Sequence, residues 1–370
     1  MLNKIIPIIL LAGIMSMARA DTVQVNPNHP DRYTVVKGDT LWDIAGRFLT
    51  QPWRWPEIWK VNPQIKNPHL IYPGDVVSLT YEDGAPVLTV DRGGSMSRSS
   101  SSGRLVKLSP TVREVDEKEA IPTIPVDAIR TFLSRPLVIN DEKEFDSLPY
   151  IVSSYDQHLV AGQGNRVYIK GLSEDSAQRT YSVYRKGPAY KKNGKVIGYQ
   201  ALYVGEAVLD KLGDPSTATI TQSFREVLNG DRLMPQSDKD VDRDFIPKKP
   251  DNTVSGNIIS VIDGLQEIGQ YQIVVVDLGS DDGMETGTVL GIYQSGKVVT
   301  DRTGAKSNWP LANTPLGEYL GTPKARGVDV KLPEEFAGVV MIFRPYDRVS
   351  YGIVMQAYGP LKLNDTVRNL

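Results

Sequence analysis

The chain contains no cysteine. That absence excludes a disulfide framework, a thiolate nucleophile and a lipid-modified cysteine behind a leader. Histidine is nearly as scarce: His29, His69 and His158 stand alone, without the paired spacing of a zinc site or an HExxH helix. Neither sign of charge is in excess. Lys and Arg number 42 against 44 Asp and Glu, a formal net charge of -2, which argues against nucleic acid as a partner. Long apolar runs are missing after the first twenty residues. There, Lys4 precedes an apolar core from Ile5 to Ile14, and Ala18-Arg19-Ala20 offers small residues for cleavage. The apolar stretch is too short for a bilayer core of about 30 Å. Residues 1–20 therefore read as a signal peptide cleaved after Ala20, and the mature chain has no transmembrane span.

Catalytic signatures are equally thin. "DKDVDRD" alternates Asp238, Asp240, Asp242 and Asp244, but an EF-hand counted from Asp238 needs Gly and Glu where Arg243 and Lys249 stand. It reads as a solvated connector without metal. "LGSDDGMETGTV" lacks the Lys-Ser/Thr ending of a P-loop and the G-x-G-x-x-G spacing, so two tight turns explain its glycines. No G-x-S-x-G elbow occurs. A carboxylate pair for glycoside cleavage stays open among 44 acidic residues. No cofactor is indicated, and nothing positive points to an enzyme.

What is present is organisation. In "YTVVKGDTLWDIAGRF" a β-forming run meets Gly38, and Thr40 with Asp43 fits a capping box. Leu41, Ile44, Ala45 and Phe48 then mark one helical face. A second helix is expected from Pro56 through Val61, stopped by Asn62-Pro63, and Pro73-Gly74 turns into a strand at 76–79. The predicted order is βααβ. Trp42, Trp53, Trp55 and Trp59 are four of the five tryptophans. Trp42 and Trp59 read as core, whereas Trp53 and Trp55 stay open between core and sugar stacking. Residues 81–125, with "RGGSMSRSSSSGR", read as a flexible linker. Short strands between Gly, Asn and Asp turns follow, giving β-rich units at 126–236 and 256–370 around a connector at 237–255. Both end in a similar phrase, "LNGDRLMP" and "LKLNDTVRNL", which suggests internal duplication, with a longer loop from about Lys297 to Pro333 in the second copy. The predicted class is α+β, multidomain.

"YTVVKGDTLWDIAGRF" followed by "NPHLIYPGDVVSL" resembles the LysM module over residues 32–80, through Tyr33, Val35, Gly38, Asp39, Thr40, Leu41, Ile44, Ala45, Asn62, Pro63, Ile71, Pro73, Gly74 and Asp75. The resemblance implies a shallow groove for N-acetylglucosamine polymers such as peptidoglycan. One wall would be Gly38, Asp39, Thr40 and Leu41, and the other Asn67, His69, Leu70 and Ile71. "LTQPWRWPEIWKVN" is longer and richer in tryptophan than the usual pattern. "AIPTIPVDAIRTFLSRPLVI", "GNRVYIKG" and "MIFRPYDRVSYGIVMQA" resemble secretin-associated LysM proteins of type IV pilus systems, whose C-terminal region is related to that of flagellar assembly protein T. This implies a periplasmic, non-catalytic anchor between peptidoglycan and an outer-membrane secretin ring, its LysM module a separate head on a tether. The alternatives are a murein-remodelling enzyme and a flagellar ring component.

Overall fold

The computed structural model describes residues 22–59, 70–91, 120–133, 138–156, 159–173, 177–236, 245–262, 267–296, 298–301, 303, 314–319 and 327–370. The expected signal peptide, the end of the second helix at Val61, and the acidic run from Asp238 to Asp244 lie outside the described residues.

The N-terminal unit opens with strand β1 (Arg32–Thr34), helix α1 (Leu41–Phe48), a 3-10 turn (Pro52–Arg54) and helix α2 (Trp55–Ile58). Strands β2 (Val76–Glu82) and β3 (Ala85–Asp91) complete an antiparallel sheet in the order β1-β2-β3. Helix α1 forms because Leu41, Ile44, Ala45 and Phe48 bury one face in a core with Val35, Ile71, Val77 and Leu88. Strand β3 corrects the expected linker. Residues 85–91 pair along all of β2, from Glu82 opposite Ala85 to Val76 opposite Asp91. Between them Asp83 and Gly84 take φ of 50° and 82°, the left-handed pair that an Asp-Gly hairpin turn requires.

Next come helix α3 (Val126–Leu133), β4 (Val138–Ile139), helix α4 (Glu142–Ser147), β5 (Tyr150–Ser154), β6 (Val160–Ala161) and β7 (Arg166–Lys170). They are followed by β8 (Thr180–Lys192), β9 (Lys195–Lys211), β10 (Ser216–Ser223), β11 (Val227–Leu228) and β12 (Arg232–Pro235). The sheet runs β10-β7-β5-β12-β8-β9-β4, and β10 also pairs with β9, so six strands return on themselves. Val167, Ile169, Val183, Val204, Ile220 and Leu233 fill this ring.

The last unit comprises β13 (Ser255–Val261), β14 (Ile273–Val276), β15 (Val289–Gln294), a β16 (Val298–Asp301) and β17 (Val328–Lys331) ribbon flanking helix α5 (Pro315–Tyr319), β18 (Glu335–Pro345), β19 (Ser350–Ala357) and β20 (Thr366–Arg368). Here β13-β14-β19-β18-β15-β20 close into a barrel. Of the "LGSDDGMETGTV" glycines, Gly279 is extended, whereas Gly283 and Gly287 sit in turns; at Gly287 φ is 90° and an added Cβ would run into the Ile246 carbonyl oxygen.

The two rings share more than strand content. Taking the six ring strands of each in chain order, both run first, second, fifth, fourth, third, sixth around the ring. Their turns match bond for bond. Asp231 Oδ2 accepts the Leu228 N–H at 2.8 Å, and Asp365 Oδ2 accepts the Lys362 N–H at 2.7 Å. The preceding Gly230 and Asn364 have φ of 91° and 68° and each donates at 2.8 Å, to the carbonyls of Ile151 and Ile258 respectively. In the first hairpin of each ring, Gly162 N–H donates to Asn165 Oδ1 and Gly269 N–H to Gln272 Oε1, both at 2.8 Å.

The N-terminal unit is not a free head. Trp42 and Trp53 enter one core with Ile124 and Ile129, Tyr190 and Ile197 from the β8–β9 hairpin, and Val275, Met341, Tyr351 and Ile353 on the outer face of the barrel. Helix α3, expected with the first β-rich unit, packs on this second one, and Arg344 Nη1 donates to the carbonyls of Phe132 and Leu133. The physical reason is apolar area. Two large indoles pointing away from the LysM core need a second surface to leave water.

Candidate functional site

The described residues expected to line the groove stand beside two matching Gly-Asp turns. In the first, Asp39 Oδ2 accepts the Val36 N–H at 2.9 Å and the Tyr33 hydroxyl at 3.0 Å. In the second, Asp75 Oδ2 accepts the Tyr72 N–H at 3.0 Å. Gly38 and Gly74, with φ of 99° and 96°, make the reversals. The turns are then laced together: Val35 N–H donates to the Asp75 carbonyl and Gly74 N–H to the Val35 carbonyl. Burial, reinforced by Asp39, pushes the Tyr33 hydroxyl above its ordinary range, so it stays a donor.

Thr40 caps α1, its Oγ1 accepting the Asp43 N–H at 3.1 Å. The Asp43 carboxylate does not return to the Thr40 backbone. Its Oδ2 accepts the Thr40 hydroxyl at 2.7 Å, and its Oδ1 accepts the hydroxyl of Tyr271, in the barrel, at 3.3 Å. Burial first, then Asp43, holds the Tyr271 hydroxyl in its neutral form. Tyr271 has φ of 65°, a left-handed backbone unusual for a bulky residue, at the position where the first ring carries Gly164.

Of the eight expected groove residues, six are described. Gly38 is exposed and Asp39 half-buried, while Thr40, Leu41 and Ile71 are buried and Leu70 is partly so. Asn67 and His69 lie outside the described residues. Among the described residues, the two expected stretches are joined by a third segment. Ile121 N–H donates to the Ile71 carbonyl at 2.8 Å, and the Leu41 and Trp42 N–H groups donate to the Pro122 and Thr123 carbonyls at 3.0 and 3.1 Å. Sequence reasoning missed this segment because its composition suggested a linker. The signal was "IPTIP", two prolines that hold the chain extended with apolar residues between them.

Among the described residues, the tryptophans give no open stacking platform. Trp42, Trp53 and Trp55 are buried, and Trp59 meets Trp55 edge-on at 5.6 Å. Among the described residues, no group of three or more His, Cys, Asp or Glu is placed to hold a metal ion. Nor is any helix among them long and apolar enough to cross a membrane.

Comparison with known proteins agrees with the two-turn geometry. Residues 33–80 match the LysM domain family. The uncharacterized protein YqbP of Bacillus subtilis (strain 168) is 43% identical over 60 residues, covering 14% of this chain and 27% of that protein. The chain thus spans about a quarter of the length of this curated relative. LysM domains bind peptidoglycan or chitin-like glycans and are typically extracellular or associated with the cell envelope. Paired Gly-Asp turns, a capped first helix and the family match together make residues 33–80 of this chain a LysM domain.

Proposed function

We propose that this chain is a non-catalytic periplasmic protein that holds peptidoglycan through its LysM domain and an outer-membrane secretin ring of type IV pili through its two β rings. The observation that carries the reading is the LysM domain at 33–80. The secretin half rests on the sequence resemblance of the later segments. The shared strand order and matched Asp turns of the two rings support their origin by duplication, giving two related surfaces to one partner. A weak glycan site becomes effective when many copies decorate a ring, because linked sites add avidity without new contacts.

Residues 21–370 are expected to pellet with purified sacculi, release no soluble muropeptides, and co-purify with a detergent-solubilised pilus secretin. Muropeptide release would replace the anchor with a murein-remodelling enzyme. Co-purification with a flagellar ring in place of the secretin would move the protein to that organelle.

A further inference from the structure

N-acetylglucosamine offers a protein groove three things through its acetamide: an N–H donor, a carbonyl acceptor and a methyl group. Residues 120–124 supply the same three to this groove. The Ile121 N–H reaches the Ile71 carbonyl, and the Pro122 and Thr123 carbonyls take the Leu41 and Trp42 N–H groups. The Ile121 side chain, 6% exposed, lies in one core with Leu41 and Ile71. Leu41 and Trp42 are also the first-turn donors of α1 that Thr40 leaves open, since its hydroxyl serves Asp43. They are therefore the amides an incoming carbonyl would seek, and they are taken. The segment is held from behind as well. Thr123 Oγ1 accepts the Phe245 N–H at 3.0 Å, and Ile124, fully buried, sits in the core shared by Trp42 and the barrel.

We propose that residues 120–124 are an intramolecular ligand that closes the LysM groove, so that N-acetylated glycan binds only when this segment is displaced. The proposal rests on the reading that the LysM domain takes peptidoglycan. A tethered competitor acts at an effective concentration of roughly millimolar order. Apparent glycan affinity is then reduced by the fraction of chains in which the groove is open. Because Ile124 belongs to the shared core, opening the groove also loosens the LysM domain from the barrel. Wall engagement and barrel docking exclude one another.

The test uses residues 21–370 with the hexamer of N-acetylglucosamine, titrated calorimetrically, alongside amide hydrogen exchange. Ile121→Asp puts a charge where the groove is apolar and is expected to tighten hexamer binding by at least ~10-fold. In the unaltered chain the Leu41 and Trp42 amides are expected to be protected without sugar. Saturating sugar should speed exchange at the Ile121 and Phe245 amides. Equal affinity in both forms, with Leu41 and Trp42 unaffected by sugar, overturns the proposal and leaves wall binding intact at another surface. Absence of binding in both forms, with those amides exchanging freely in the variant, overturns wall binding and the proposal together. If Ile121→Asp fails to fold, Ile121→Ala and the sugar-dependent exchange of the unaltered chain give the same decision: no acceleration at Ile121 and Phe245 overturns the closed groove.

Discussion

Tyr190 and Tyr351 show how much a single pair decides at the junction. Their hydroxyls lie 2.6 Å apart, buried, one on the β8–β9 hairpin and one on the barrel. Burial pushes the Tyr190 hydroxyl up to about 12 and Tyr351 higher still, so both stay protonated where unfolded tyrosine ionises. Above pH 10 the unfolded chain releases protons that the folded chain keeps, and stability falls towards pH 12. The slope is about 1.4 kcal/mol per pH unit for each such tyrosine. Denaturant titrations at pH 9, 10 and 11 are expected to show this loss, reduced in a Tyr190→Phe, Tyr351→Phe double variant. At neutral pH, Tyr351→Phe alone strands the Tyr190 hydroxyl without its partner and costs about 1–3 kcal/mol, whereas the double variant recovers part of the loss. No sequence pattern links these tyrosines, because the pair joins positions far apart in the chain.

At the scale of elements, local chemistry was more legible. The apolar face of α1, the Thr40 cap and the glycines of the two Asp turns follow from spacing and conformational preference alone. Removing the cap with Thr40→Ala is expected to cost about 1 kcal/mol in urea denaturation. The same measurement on Thr34→Ala, on exposed β1, should change stability by less than about 0.5 kcal/mol. Strand β3 was missed although Asp83-Gly84 is a strong hairpin signal, because the charged and serine-rich residues beyond it drew the boundary too early. Residues 120–124 were missed for a different reason. Their backbone partners, Ile71 and the first residues of α1, lie some 50 and 80 residues earlier, and no local pattern specifies such pairings.

At the scale of the molecule, the LysM domain and the barrel share one core, so they should not unfold independently. Trp42→Ala opens that core and is expected to cost about 3–5 kcal/mol. Native-state hydrogen exchange should then show faster opening of β14 in the barrel as well as of α1, since Val275 and Trp42 belong to one cluster. Faster exchange confined to α1 would mean that the two units are thermodynamically separate. The groove residues bear on this coupling too. Leu41 and Ile71, expected as groove walls, are buried in one core with Ile121, so a local change there is felt in the packing of the whole unit.

By itself the sequence determined local geometry: the LysM turns and first helix, the strand-rich remainder, and the paired Asp phrases before the last strand of each ring. These depend on period, turn residues and caps, which act over a few positions. Only the tertiary structure decided that the tryptophan-bearing face docks on the barrel and that residues 121–123 bond to Ile71, Leu41 and Trp42. Both outcomes depend on which distant apolar surfaces and unsatisfied amides meet. Burial and hydrogen bonding reward any complementary partner, and the fold of the whole chain selects which one arrives.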